Sequence, residues 1–140
     1  MGSSIVFTNG CFDVFHYGHL HLLKEAKKFA DFLIVGINND ESIRHLKGVG
    51  RPIFPLKYRM AILSSLIYVD EVIPFKDDTP LKLIRIIKPD ILVKGGDWKV
   101  DDIVGATYVM KHGGKVKTIP FIEGFSSTKI LQNKQYEKNI

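Results

Sequence analysis

The sequence predicts a three-layer α/β domain built on a five-stranded parallel sheet, with residues 1–140 forming one unit. Three observations carry this reading. Five short apolar runs alternate with segments of helical period, the pattern of parallel strands joined by crossover helices. The second run, Phe32–Ile37, is apolar at consecutive positions, as a strand covered on both faces should be. A chain of 140 residues, 45% hydrophobic and 25% charged, has the material for one compact core.

The elements follow in order. Ser4–Thr8 reads as the first strand, ended by Asn9-Gly10. Leu22, Ala26, Phe29 and Ala30 then recur at helical spacing, and Phe32–Ile37 is the second strand. Asn39–Leu46 is a short helix. Lys47–Pro55, with two Gly and two Pro, is a loop. Leu56–Val69 is a helix with Tyr58, Ile62, Leu63 and Leu66 on one side. Glu71–Phe75 is strand three. Pro80–Lys88 is a helix capped by Thr79, with Pro80 at its first position. Ile91–Val93 is strand four, Lys99–His112 a helix closed by Gly113-Gly114, and Lys115–Ile119 strand five. A last helix begins near Ser126. Residues 1–4 are assigned no function, and residues 132–140 read as a C-terminal tail.

Composition excludes several classes of protein. No apolar run approaches the roughly 18 residues of a membrane span, and the N-terminus lacks a signal-peptide pattern. A lone cysteine, Cys11, makes no internal disulfide, which points to a reducing cytoplasm. The net charge of +5 is spread over both halves of the chain. That balance suits small anionic substrates as well as nucleic acid. Dispersed lysines, and aromatics confined to apolar runs, argue against nucleic acid.

Sheets of this kind bind ligands beyond the carboxyl ends of their strands, where strand order reverses. The segment after strand one, Asn9 to His19, carries Gly10 and Gly18, where backbone can approach a ligand closely. A helix starting beside Gly18 would turn free N–H groups and its positive dipole end toward the crevice. His16 and His19 are three apart, about one helical turn, and could both face an anion there. Two unremarkable surface histidines would fit the same spacing. After strand five, Glu123 to Lys129 offers a turn glycine and three hydroxyls, Ser126, Ser127 and Thr128, at a helix start. Ser126 also reads as an N-cap. Two helix beginnings opening on one crevice would cradle a polyphosphate.

Lys47, Arg51 and Arg59 supply positive charge from the middle of the chain, although a solvated basic face would look alike. Lys94-Gly95-Gly96-Asp97-Trp98 follows strand four. Its glycines suggest backbone lying against a flat ring, with Asp97 accepting from hydroxyls, unless they only form a turn. No GxxxxGKS/T, HExxH or CxxC is present. Gly48 and Gly50 begin a GxGxxG that Ile53 breaks. Zinc bound by His16, His19 and His21 is disfavoured, because residues 19 and 21 diverge on a helix.

Taken together, these segments resemble the HxGH nucleotidyltransferase superfamily, a Rossmann-like fold that includes cytidylyltransferases. The signature is Gly10 to His19, with Ser126-Ser127-Thr128 similar to the second phosphate motif. Residues 46–60, 77–84 and 89–98 resemble the heptose 1-phosphate adenylyltransferase branch, and the likeness runs from about Ile5 to Leu131. Cys11 matches that branch, where many relatives have Thr. Phe121 stands where glycerol 3-phosphate cytidylyltransferases typically carry Arg. The resemblance implies transfer of AMP from ATP to a heptose 1-phosphate, with Mg2+ carried by the phosphates, and a homodimer. Heptose enzymes often have this domain fused behind a sugar kinase, which 140 residues cannot hold, so a separate upstream kinase is expected.

The resemblance also implies roles. A phosphate monoester, with a second pKa of about 6, is ionised near neutrality, so no general base is needed. Catalysis then rests on positioned cations and N–H donors. His16 and His19 would donate to the triphosphate, Ser126, Ser127 and Thr128 would hold its far end, and Arg51 or Lys47 would close over it. Arg59 would draw in the triphosphate or the sugar phosphate, and Asp13 would bind acceptor hydroxyls. Asp40 would contact metal or substrate. Thr8, Asn9, Gly10, Cys11, Phe12, Gly18, Lys94, Gly95, Gly96 and Asp97 would line the nucleotide site. The alternatives are a cytidylyltransferase acting on glycerol 3-phosphate or another phosphorylated acceptor, and a nucleotide-binding protein without turnover.

Overall fold

A computed structural model describes residues 2–132, so the expected C-terminal tail lies, but for Gln132, outside the described residues. Five strands form one sheet: β1 (Ile5–Gly10), β2 (Phe32–Asn38), β3 (Glu71–Phe75), β4 (Ile91–Gly95) and β5 (Lys115–Ile119). Their order is β3-β2-β1-β4-β5 and every neighbouring pair is parallel. The chain therefore builds outward from β1 to β3, then crosses back to build β4 and β5 on the other side. The crossovers diverge between β1 and β4, opening a crevice at the carboxyl ends of these strands.

Six helices accompany the sheet: α1 (Tyr17–Lys27), α2 (Asp40–Lys47), α3 (Leu56–Ser64), α4 (Leu81–Ile87), α5 (Ala106–Lys111) and α6 (Ser127–Gln132). Alternation along each strand sorts side chains between two cores. Val6, Leu33, Val35, Ile37 and Val93 face one way and pack with Leu23 and Ala26 of α1 and Leu63 of α3. Phe7 and Leu92 face the other way, against Ile84 of α4 and Ala106 and Val109 of α5. This is why the strands read as continuous apolar runs: both faces are covered.

Several boundaries differ from expectation. β1 runs on through Asn9-Gly10, which pair with Gly36 and Ile37 of β2 instead of turning. Thr79 caps nothing; Pro80 occupies the N-cap position without a side-chain bond, and α4 starts at Leu81. α3 stops at Ser64, since Ser65 donates both its N–H and its hydroxyl back into the last turn. Tyr58 on that helix is exposed, and the buried positions are Arg59 and Leu63. The helix expected over Lys99–His112 is divided into a 3-10 turn (Val100–Asp102) and α5. Gly105 sits between them at φ 89, a backbone shape that disfavours a side chain, and a Cβ there would meet Ile84 at 2.6 Å.

Candidate active site

Between β1 and α1 the chain twice adopts left-handed backbone at residues other than glycine, with φ of 50 at Phe12 and 52 at Val14. Such turns are costly for L-residues and cluster where function fixes the backbone. Here they bring His16 to the N-cap of α1. Its Nδ1 accepts the N–H of Gly18 at 3.1 Å, and His19 Nδ1 accepts the N–H of His16 at 3.2 Å. The two imidazoles thus form a reciprocal capping box and stack with centroids 3.7 Å apart. Gly18 is required by this packing, because a Cβ would lie 2.9 Å from the ring of His16.

The arrangement settles what the rings can do. Each Nδ1 is an acceptor, so each neutral ring carries its proton on Nε2. The helix start does not present its amides bare, as the sequence suggested; two backbone N–H groups are taken up by the imidazoles, whose Nε2–H groups remain as donors. Such a relay strengthens the outer donor, because each bond polarises the next. Burial, the neighbouring His16 and the Lys47 ammonium hold the pKa of His19 down to about 3. Burial and Lys47 lower that of His16 as well. Both rings are neutral near pH 7.

Across the crevice lies the start of α6. His16, Gly18, His19 and Lys47 share one pocket, of about 210 Å³ and open to solvent, with Ser126, Ser127 and Thr128. Ser126 Oγ accepts the N–H of Lys129, the expected N-cap. Ser127 is buried and its hydroxyl donates to the carbonyl of Asp13, tying α6 to the segment after β1. Thr128 is exposed. Apart from His21 and Gly95, the remaining wall is apolar: Leu22 of α1, Ile119 at the end of β5, Pro120, Phe121, Ile122 and Phe125. Sequence reasoning missed this wall. A signal was present: Phe121 is an aromatic two residues past the end of a strand, in a sheet whose strand ends bind ligands.

Three charged residues expected to meet substrate are instead engaged with the chain. Arg59 is buried, with Nε donating to the carbonyl of Phe54, Nη1 to those of Cys11 and Asn38, and Nη2 to Asp40 Oδ1 at 2.7 Å. It fastens the ends of β1 and β2 to the loop before α3 and has no exposed surface from which to draw in a phosphate. Asp13 is equally buried. Its carboxylate accepts from the amides of Val14, Ile53 and Phe54 and from Arg51 Nε. Burial alone would raise its pKa, but the amide bonds and Arg51 outweigh this and hold it below the usual range. With these positions filled, Asp13 anchors the 51–54 loop and is not free to bind acceptor hydroxyls. Asp40 Oδ1 is likewise spent on Arg59 and the N–H of Leu56, while its side chain stays partly exposed.

Arg51 differs from Arg59. Beyond its ion pair with Asp13 at 3.2 Å, its Nη2 is buried without a hydrogen-bond partner among the described residues. An orphaned guanidinium nitrogen is costly unless a ligand completes it. The other expected residues divide. Asn9, Gly10, Cys11, Phe12, Lys94 and Gly95 line a chamber that continues from the pocket past His19. The thiol of Cys11 is pushed up by burial, against the lowering effect of Lys47 and Arg59, so it stays protonated. Gly96 is buried with a Cβ position 2.7 Å from Phe121, Asp97 is exposed, and neither lines the pocket or this chamber. Thr8 is buried in β1, away from the cavities, its hydroxyl unpartnered among the described residues.

Comparison with known proteins gives this geometry a setting. The family described as cytidylyltransferase-like matches residues 7–133. The Bifunctional protein HldE of Alcanivorax borkumensis is 53% identical over 131 residues, covering 94% of this chain and 28% of that protein. The protein of the same name from Shewanella amazonensis is 51% identical over 132 residues, with the same shares. The chain thus spans 28% of the length of these curated relatives. Among solved structures, a lipopolysaccharide core biosynthesis protein from Thermoplasma volcanium is 35% identical with a TM-score of 0.71, over 86% of this chain and 98% of that one. A pantothenate synthetase from Thermus thermophilus, at 15% identity and a TM-score of 0.68, over 96% of this chain and 64% of that one, shares the fold.

Proposed function

The chain belongs to the cytidylyltransferase-like family, a nucleotidyltransferase fold, and on that footing we propose that it transfers AMP from ATP to a heptose 1-phosphate, giving ADP-heptose and pyrophosphate. The observation that carries the reading is the convergence of two neutral imidazole donors, Lys47 and residues 126–128 on one pocket with an apolar wall fit for a purine. The likeness of residues 46–60, 77–84 and 89–98 to the heptose branch supports the acceptor. Similarity to a lipopolysaccharide core biosynthesis protein fits a sugar bound for a cell-surface glycan.

In the reaction an ionised oxygen of the acceptor phosphate attacks the α-phosphorus. A new oxygen–phosphorus bond forms as the bond to the bridging oxygen breaks, and its electron pair leaves with pyrophosphate. Charge grows on the leaving group. His16 and His19 donate to it through Nε2–H, and the donors are already oriented by the capping box. Lys47 neutralises oxygens from the pocket wall, and Arg51, whose buried Nη2 lines none of the cavities described, joins it only when the 47–54 loop moves to bare that nitrogen. The pocket offers imidazoles, hydroxyls and an ammonium but no carboxylate, so a divalent cation, Mg2+, would ride on the phosphate oxygens and offset their charge.

No helix among the described residues is long and apolar enough to cross a membrane. We place the reaction in the cytoplasm, where ATP and reduced thiols are found, with a kinase reaction supplying the heptose 1-phosphate and a homodimer as the working state. The test is pyrophosphate release from each of the four NTPs with heptose 1-phosphate as acceptor. ATP is expected to be the preferred donor. Preference for CTP with glycerol 3-phosphate would move the chain to the cytidylyltransferase branch. Nucleotide binding without pyrophosphate from any acceptor would make it a non-catalytic binder.

A further inference from the structure

The nucleotide pocket does not end at His19. A middle chamber shares His19, Leu22, Gly95 and Phe121 with it. An outer chamber shares Asn9, Cys11, Lys94 and Trp98 with the middle one and reaches Asp78, Thr79 and Asp102. The three form one channel along the carboxyl ends of the strands.

Its chemistry changes along its length. The middle chamber has no carboxylate and lies between the imidazole of His19 and the ammonium of Lys94. Lys94 makes no ion pair among the described residues. It is half-buried, with Nζ 5.1 Å from the centre of the Trp98 ring. Burial lowers its pKa, so a neighbouring anion would favour its charged form. The outer chamber carries two carboxylates, a hydroxyl and the amides of Asn9 and Asn38; Asn38 is bonded to Ser42 and Asp78 lies 3.6 Å from His45 Nδ1, while the side chains of Asn9, Thr79 and Asp102 make no hydrogen bond among the described residues. Carboxylates repel a phosphate but accept from alcohols. An anion therefore suits the middle of the channel and a polyol its outer end.

Resting on the nucleotidyl-transfer reading, we propose that the outer chamber is the acceptor's sugar site. Lys94 holds the acceptor phosphate opposite the nucleotide at His19, and Asn9, Asp78, Thr79 and Asp102 read several hydroxyls. The chamber thus selects a phosphorylated sugar over a three-carbon phosphate.

The test is calorimetric binding of heptose 1-phosphate and glycerol 3-phosphate in the presence of α,β-methylene-ATP, which cannot be cleaved at the reacting bond. The wild type is expected to bind the heptose phosphate more tightly. Lys94→Met, which keeps the apolar stem, should weaken it by about tenfold or more, the loss of one charge-assisted bond, with the affinity for the ATP analogue within about twofold. The double variant Thr79→Val/Asp102→Asn should weaken the heptose phosphate and leave glycerol 3-phosphate unchanged. Equal binding of the two acceptors by the wild type would overturn the proposal. So would a Lys94→Met that loses the ATP analogue and keeps the acceptor. Because binding is read without turnover, failure here is separable from failure of the pyrophosphate assay, which would sink the reaction itself.

Discussion

The chain uses charge in opposite ways on the two sides of the segment that follows β1. Toward α1, His16 and His19 are polar groups made neutral and left open to a pocket. Toward α3, Arg59 and Asp13 are ionic groups sealed inside and saturated by the chain, Arg59 by three carbonyls and a carboxylate. The first region presents donors to a ligand; the second holds the loops that shape the pocket. A full charge in the sequence is thus no guide to substrate contact, because a guanidinium can serve as the fastener of strand ends.

The sharpest way to separate the two regions is to remove one member from each. Arg59→Met leaves Asp40 and three carbonyls without their donor. A loss of about 3–5 kcal/mol in denaturant unfolding is expected, as for breaking a buried ion pair, with activity falling in step with the folded fraction. A stable, folded Arg59→Met that only loses acceptor or ATP affinity would return Arg59 to the substrate site. His19→Ala should do the reverse. The protein stays folded, at a cost of about 1 kcal/mol for the lost cap, while kcat drops roughly 10²–10³-fold, the loss typical of one transition-state donor. Turnover within about threefold of wild type would remove His19 from the chemistry.

A pH experiment probes the same contrast. His19 has a folded pKa near 3, below the unfolded value of about 6.5. Between these the unfolded chain binds a proton that the folded chain refuses. Stability without nucleotide should therefore rise with pH through this window, by up to about 1.4 kcal/mol per pH unit for this ring. Urea midpoints should show the slope between pH 4 and 6.5, and His19→Asn should reduce it to the part that His16, also depressed, contributes in the same direction. Asp13, whose pKa is also depressed, acts in the same direction but below the usual carboxylate pKa of about 3.9, outside that range. The smallest effect is expected for Cys11→Ser. The thiol is protonated and its one hydrogen-bond partner among the described residues is Asn38 Oδ1 at 3.8 Å, so most activity should remain; complete inactivation of a folded variant would reveal thiol chemistry.

The sheet was legible because its strands are covered on both faces and so read as unbroken apolar runs. The strand ends were not. Asn9-Gly10 has the composition of a turn, yet its pairing with β2 keeps it extended. The helix expected over Lys99–His112 is interrupted at Gly105, which takes φ 89; the glycine was a local signal that the helical period on either side of it masked. At the candidate site, the convergence of His16, His19 and residues 126–128 on one pocket followed from placing segments at strand ends. The burial of Arg59 and Asp13 did not, because it depends on carbonyls from residues distant in the chain. Nor did the capping box, which turned a pair of expected anion ligands into a relay with fixed tautomers.

The measurement that bears most directly on the donor pair is nitrogen-15 NMR of the histidine rings at pH 7. Both rings are expected to be neutral, with Nδ1 bare and Nε2 protonated, and their Nε2 resonances should shift when ATP is added. A proton on Nδ1, an imidazolium at either position, or rings indifferent to ATP would contradict the assignment of His16 and His19 as oriented donors to the nucleotide.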